Sequence, residues 1–361
     1  MKELSLSQFL VSVNSFLIQL SIFKVADEKF ITSLTVLISL QIFYFMLMRK
    51  LSFEKYLIFD EQIRRPPIIE VWVLITTITF VLGLYNKWDL NILVLVTIFG
   101  FLNTVLDYKL FSDLANGRIK NLLGNLLMLF ILILNLALSG SIIITFACLN
   151  LSIGLFLILS CRKELFKALQ VRARRTMDIH RGLDFVLGAG LGYLLPILVF
   201  YQLGNQGVIE IRASQLFVSL INFFAMSLFL HNLSKQVETN VYVYSLVPSA
   251  ILFVLYSTLK MFDTFKVPLV APIFVHLSNI VYFFIASFIF TQISNYLLTK
   301  IVRFGFQEKV FTWHLKSMPV FLSIYFGGMA LYGSLGFALA SIIVHAIDSF
   351  ALRRILIDSQ R

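Results

Sequence analysis

Apolar residues in this chain come in long unbroken runs separated by short polar intervals, without the alternation of a half-buried strand or the single apolar face of a soluble helix. Twelve runs can be drawn, at 8–23, 30–48, 68–86, 90–106, 121–138, 141–161, 183–201, 213–230, 241–259, 269–299, 317–332 and 335–352. A hydrocarbon core about 30 Å thick is crossed by about 20 helical residues. Each run therefore predicts one transmembrane helix, the shorter ones completed by their flanks. Lipid offers an open backbone no hydrogen-bond partner, so the spanning elements must be helices. The pattern predicts an all-α polytopic membrane protein with twelve transmembrane helices.

The polar intervals set an orientation. With both termini in the cytoplasm, 24 of the 30 Lys and Arg lie on the cytoplasmic side, and Lys24, Lys29, Lys87, Arg212, Lys260 and Lys266 lie opposite. Short basic loops are retained on the cytoplasmic side during insertion, which predicts a multi-pass protein of the cytoplasmic (inner) membrane. The longest interval, 162–182, is a basic cytoplasmic connector that includes Arg172, Arg174, Arg175 and Arg181. It divides the chain into an N-terminal six-helix bundle, 1–161, and a C-terminal one, 183–361. An even number of helices in each half gives the bundles one orientation, related by an axis along the membrane normal. Two short matches at equivalent places, 23–31 with 201–209 and 107–117 with 295–305, suggest an internal duplication.

Composition narrows the function classes. A mean hydropathy of +0.88 with 59% hydrophobic and 14% charged residues excludes a water-soluble domain. The net charge of +11 then needs no nucleic-acid partner, because basic loops beside anionic headgroups account for it. Cys148 and Cys161 share one run and suggest neither a disulfide framework nor a metal site; no cofactor motif is present. Residues 1–8 carry a single Lys, and no small-residue cleavage site follows the first run, so that run reads as an uncleaved anchor.

Four local patterns carry a resemblance. Asn14-Ser15-Phe16 sits in the first run, and an aromatic and basic segment ending in Gly117-Arg118 follows the fourth. The turn Gly204-Asn-Gln-Gly-Val208 leads into Arg212-Ala-Ser-Gln215, and Gly333-Ser-Leu-Gly336-Phe-Ala338-Leu-Ala340 opens the last run. With twelve spans in two halves, the chain resembles the polysaccharide and lipid-linked oligosaccharide flippases of the multidrug/oligosaccharidyl-lipid/polysaccharide (MATE-like) exporter superfamily. The resemblance implies two six-helix bundles around a central cavity that opens to either face in turn. It implies a transporter and not an enzyme, with membrane lipids and a lipid-linked glycan as partners and proton or sodium coupling. No Walker-type loop is present, so the energy would come from an ion gradient or from removal of product outside.

Polar groups inside lipid mark the candidate pathway, since an Asp at a helix centre costs about 3 kcal/mol on insertion scales. They are Asn14 and Gln19 on the first span, Asn135 and Asn150 on the fifth and sixth, Asp184 on the seventh and Asn222 on the eighth. His276 and Asn279 follow on the tenth, and His345 and Asp348 on the twelfth. Each also has a structural explanation. Asp184 stands at a helix start, where the dipole favours a carboxylate and Arg181 is near. Each His shares a helix face with its partner three residues on, as a proton-exchanging pair or as one end of an interhelical hydrogen bond. Asp348 could instead form an interfacial ion pair with Arg353 or Arg354. Gly188-x-Gly190-x-Gly192 before Pro196 is no nucleotide loop, because no strand precedes it; close packing or a bend explains it. Gly327-Gly328 and Gly333-x-x-Gly336 read alike, the latter also making a tight external turn.

The pattern departs from the flippases in one respect. A pyrophosphate-linked sugar calls for Arg or Lys in the cavity, and no basic residue falls within any predicted span. The anion would have to be met by helix ends, by the 162–182 connector or by protonated histidines; otherwise the cargo is less anionic. Other classes have their own signals. Asn103-x-x-x-Asp107-x-x-x-x-x-Asp113 is similar to the magnesium-diphosphate motif of aspartate-rich intramembrane prenyltransferases, though a second such run is missing. A polymerase would carry a large external loop, and every outer interval is short. A non-transporting membrane assembly protein of the flippase fold is the remaining alternative.

Overall fold

A computed structural model of the chain describes residues 10, 13–14, 17–23, 27–53, 67–115, 122–138, 141–169, 179–219, 241–261 and 277–360. Every regular element among them is helical. In chain order these are α1, 17–23, and α2, Glu28–Met48, which widens into a π-helical turn over Arg49–Phe53. Then come α3, Ile68–Tyr85; α4, Leu90–Ala115; α5, Leu122–Leu138; α6, Ile142–Ser160; the short α7, Arg162–Ala168; and α8, Ile179–Leu187. The last four are α9, Ala189–Ser219; α10, Val241–Met261; α11, Ile280–Arg303; and α12, Gln307–Gln360. Carboxylates start two of the helices: Asp27 Oδ1 accepts the amide of Lys29 at 3.0 Å and Asp89 Oδ1 that of Asn91 at 2.8 Å. Each satisfies a first-turn donor at the positive end of the helix dipole.

Two long elements are each two helices in continuous sequence. A straight helix of 52 apolar residues would extend about 78 Å, far beyond a bilayer, and the backbone breaks where glycine permits it. Gly204 has φ 69° and ψ −163° and divides α9 into arms 189–203 and 205–219. Gly333, at φ 59° and ψ −134°, divides α12 into arms 307–332 and 334–360. The α12 arms fold back on each other, because a Cβ built on Gly336 would lie 1.8 Å from the carbonyl oxygen of Gly328. The glycine pair thus permits backbone contact beneath the turn.

Seven described stretches are long and apolar enough to cross a membrane: Glu28–Phe53, Ile68–Tyr85, Leu90–Phe111, Ile142–Ser160, Gly182–Ser219, Ile280–Ile301 and Gln307–Asp358. With both arms of α9 and α12, the shorter apolar helices Gly124–Leu134 and Ser245–Met261, and the described residues of α1, a helix occupies at least part of each of the twelve runs read from the sequence. The side chains left outward are those lipid would cover, among them Leu74, Val81, Leu151 and Leu159. Helices overrun the apolar runs at several ends. The α12 helix begins at Gln307, not 317, and buries His314 and Ser317. Charge marks the end of an apolar run, but a helix continues wherever its polar side chains find partners in neighbouring helices.

By contact the chain falls into two compact units, residues 1–22 with 33–195 and residues 23–32 with 196–361. The first has a core of Leu34, Leu37, Tyr44, Phe53, Phe111 and Phe146. Within it, Trp72 Nε1 on α3 donates to the carbonyl of Thr97 on α4 at 3.1 Å, and Asn150 Nδ2 on α6 to that of Leu95 at 2.8 Å. Gly190 brings α9 against α2, since a Cβ there would sit 3.1 Å from the Phe43 ring; this is the packing expected of the small-residue run. The second unit centres on α11, which lies between α10 and α12.

Candidate functional site

Each unit holds its own group of buried polar side chains. In the first, the group runs down the seam between α2 and α4. Gln41 occupies the space beside Gly100, so that a Cβ at 100 would overlap its Oε1 at 2.0 Å. Eight residues further on, Arg49 Nε and Nη2 donate to Asp107 Oδ2 and Oδ1, both at 2.6 Å. Residue numbers rise together along the seam, as they must for two even-numbered spans running the same way. The charged side chains are 4% and 3% exposed, and the guanidinium carbon lies 4.4 Å from the Phe45 ring centre and 5.5 Å from that of Phe111. Removing two ions from water costs several kcal/mol per ion; the forked hydrogen bonds and the ring faces offset it.

This pair corrects two expectations. A basic residue does lie within a span: Arg49, which the apolar pattern assigned to the 49–67 interval, belongs to the buried end of Glu28–Phe53. Asp107 does not present a free carboxylate for magnesium, because both of its oxygens accept from Arg49.

The second group joins α11 to both arms of α12. Ser287 Oγ is 2.8 Å from Ser341 Oγ and 3.1 Å from His345 Nδ1, which is itself 2.6 Å from the Ser341 carbonyl oxygen. A ring nitrogen that close to a carbonyl carries the hydrogen, so His345 is protonated at Nδ1. Two turns along, Ser294 Oγ and Ser349 Oγ are 2.9 Å apart, and Ser349 Oγ donates to the Phe290 carbonyl at 2.9 Å. Small hydroxyl side chains on facing helices let the backbones approach while hydrogen bonding across the seam. Beyond them, Trp313 Nε1 donates to Asp348 Oδ1 at 3.0 Å, and His314 Nε2 lies 3.1 Å from the same oxygen. Asp348 is thus bound to the opposite arm, and not through Arg353 or Arg354; Arg354 faces Asp358 at 3.7 Å on the surface. His314 escaped the sequence reading because it lies in the polar interval 300–316. The signal that could have found it is its place beside Trp313, four residues from the predicted span.

The other candidates are dispersed. Asn14 is buried and its Nδ2 donates to the carbonyl of Asn125 at 3.0 Å. Its Oδ1, the Oε1 of buried Gln19 and both amide atoms of Gln41 lie in the interior without a hydrogen-bond partner among the described residues. Asp184 is half-buried on α8. Asn279 is exposed at the head of α11 and accepts from Lys260 Nζ. Asn222, His276, Arg172, Arg174 and Arg175 lie outside the described residues, as do the side chains of Asn135 and Arg181.

No family model matches the chain, and no curated protein matches it. Solved structures do. A MOP superfamily transporter from Pyrococcus furiosus superposes over 99% of this chain and 95% of its own at 13% identity and a TM-score of 0.57. The Vibrio cholerae MATE transporter VcmN in its bent form covers the same shares at 14% identity and 0.56, and the eukaryotic MATE transporter AtDTX14 covers 99% and 98% at 13% and 0.52. At these identities the likeness is one of fold: over nearly its whole length, this chain has the fold of the MATE and MOP superfamily transporters.

Proposed function

We propose that this protein is a secondary transporter that moves a lipid-linked oligosaccharide, or a related polysaccharide precursor, across the cytoplasmic membrane by alternating access. The observation that carries the reading is the transporter fold, matched over 99% of the chain. Access alternates between the two membrane faces, and Asn14, Gln19, Asp184, Asn222, His276, Asn279, His345 and Asp348 are the candidates for contact with cargo or ion. Arg49 is occupied by Asp107, so the anionic headgroup is met first by the cytoplasmic connector with Arg172, Arg174, Arg175 and Arg181. Charge-assisted contacts from arginine suit phosphate oxygens. Proton or sodium flow supplies the energy.

The test is leaflet exchange in proteoliposomes of a fluorescent undecaprenyl-pyrophosphate-linked oligosaccharide, read by protection of the label from a membrane-impermeant quencher. Exchange above that of empty vesicles, reduced in Asp184→Asn and His276→Ala, is expected. Exchange at the empty-vesicle level with every anionic glycolipid tried would leave the assembly-protein reading. The prenyltransferase reading has lost its support, since the carboxylate it relies on is held by Arg49.

A further inference from the structure

We propose that α7 is a binding site for an anionic phospholipid of the adjoining leaflet, with Arg162, Lys163 and Lys167 meeting the headgroup phosphate and Phe166 and Leu169 entering the acyl boundary. The site begins where α6 stops. Leu151, Leu155, Ile158 and Leu159 are exposed along α6 as side chains that lipid covers, up to the end of the helix at Ser160. Cys161 then leaves helical geometry at φ −131° and ψ 29°, and α7 restarts at Arg162, with the Leu165 amide donating to the Cys161 carbonyl at 3.0 Å. Three cations therefore follow directly on the apolar surface of a spanning helix, at the level where headgroup phosphates lie.

The two faces of α7 differ in kind. One is anchored to the protein: Cys161 and Ala168 are buried, Leu165 is half-buried, and the Glu164 carboxylate accepts from Lys109 Nζ on α4 at 3.0 Å. Glu164 is the one acid of the helix, so this ion pair takes it away from the other face. There Arg162, Lys163 and Lys167 are exposed beside Phe166 and Leu169, themselves 53% and 43% exposed. Spacings of three and four residues gather the five on one side of the helix. The Arg162 guanidinium carbon lies 5.4 Å from the centre of the Phe166 ring, so the charge stays beside an apolar group, as it does for an arginine whose stem runs along apolar surface. Among the described residues none of the three cations forms an ion pair, and the chain that follows brings Arg172, Arg174 and Arg175 against Asp178 alone. An anionic phospholipid is the occupant this chemistry selects: its phosphate complements the charge while its acyl chains cover Phe166 and Leu169. An acidic soluble peptide would satisfy the charge alone, and a zwitterionic lipid would bring an ammonium against it.

The lipid is a constituent of the bilayer and not cargo, so this site and the transporter reading stand or fall separately. Bound lipid is counted by native mass spectrometry of the full chain in a neutral detergent, titrated with phosphatidylglycerol or with phosphatidylcholine. Wild type is expected to hold phosphatidylglycerol tightly and phosphatidylcholine weakly. Replacing Arg162, Lys163 and Lys167 together by Gln should weaken the tight binding about 100-fold and leave phosphatidylcholine as it was. A second triple with the same loss of charge, Lys316→Gln, Arg353→Gln and Arg354→Gln on α12, should keep it. All six side chains are exposed, so both triples should fold with the wild-type denaturation midpoint when no lipid is added. On the wild-type chain itself, raised ionic strength should weaken phosphatidylglycerol binding and not phosphatidylcholine binding, and excess inorganic phosphate should displace neither. Equal affinity for the two lipids, equal loss in the two triples, insensitivity to salt, or displacement by inorganic phosphate would each overturn the site. The first would leave only a lipid shell, the second only net charge, the third only apolar contact and the fourth a site for a free anion.

Discussion

Arg49 and Asp107 show how a charge can enter a lipid-spanning helix. The guanidinium is planar and the carboxylate meets it with two parallel bonds of 2.6 Å, while Phe45 and Phe111 present ring faces where lipid or water would otherwise be. Removing one partner leaves the other buried alone, which costs about 3–5 kcal/mol. Arg49→Ala and Asp107→Ala should each lower stability by that amount in thermal or SDS denaturation of the purified protein. The double variant should lose less than the sum, because it leaves no orphaned charge. Arg49→Lys should not restore wild-type stability, since an ammonium cannot form the fork. Hydropathy alone could not place this arginine: a charged residue ends an apolar run whether it faces water or a buried partner. Asp348 misled for the same reason, its nearest basic residues in sequence being exposed while its actual partners come from the other arm of α12.

Among the elements, the breaks in α9 and α12 are glycine-dependent in a way their neighbours are not. Gly204 and Gly333 occupy positive-φ backbone with ψ values open essentially to glycine alone, so Gly204→Ala and Gly333→Ala should each cost about 1–3 kcal/mol. Gly336→Ala should be more damaging than its small size suggests, because the added methyl would meet the Gly328 carbonyl. Gly192, on the same helix as Gly204, has nothing within 4 Å of where a Cβ would sit. Gly192→Ala should therefore stabilise the helix by about 0.5–1 kcal/mol. Denaturation midpoints of these four variants would separate the turn, the contact and the spare glycine. The turns and most spans were legible in the sequence because long apolar runs and Gly-rich intervals reflect lipid thickness and backbone sterics directly. The helix ends were not legible. At α12 the helix starts ten residues before the apolar run, since Trp313 and His314 are satisfied by a side chain 35 and 34 residues away, which no local pattern records.

For the whole molecule, orientation is the property that the sequence predicts most firmly and that the fold leaves open to test. The expected 24-to-6 division of basic residues is unchanged when Arg49 is moved from a loop to a buried helix end, because it stays at the end of its span that the charge pattern assigns to the cytoplasm. Each juxtamembrane Lys or Arg contributes to retention on the cytoplasmic side, and the side opposite is left with residues such as Lys87 and Lys260. In a background with Cys148 and Cys161 replaced by Ser, a single cysteine at position 163 should resist a membrane-impermeant maleimide in intact cells and react after permeabilisation. One at position 87 or 260 should react at once. Labelling of position 163 from outside would invert every span. The connector would then lie away from the inner-leaflet lipid headgroups it is proposed to engage, and an inner-to-outer flippase would have to be given up while the fold itself stood.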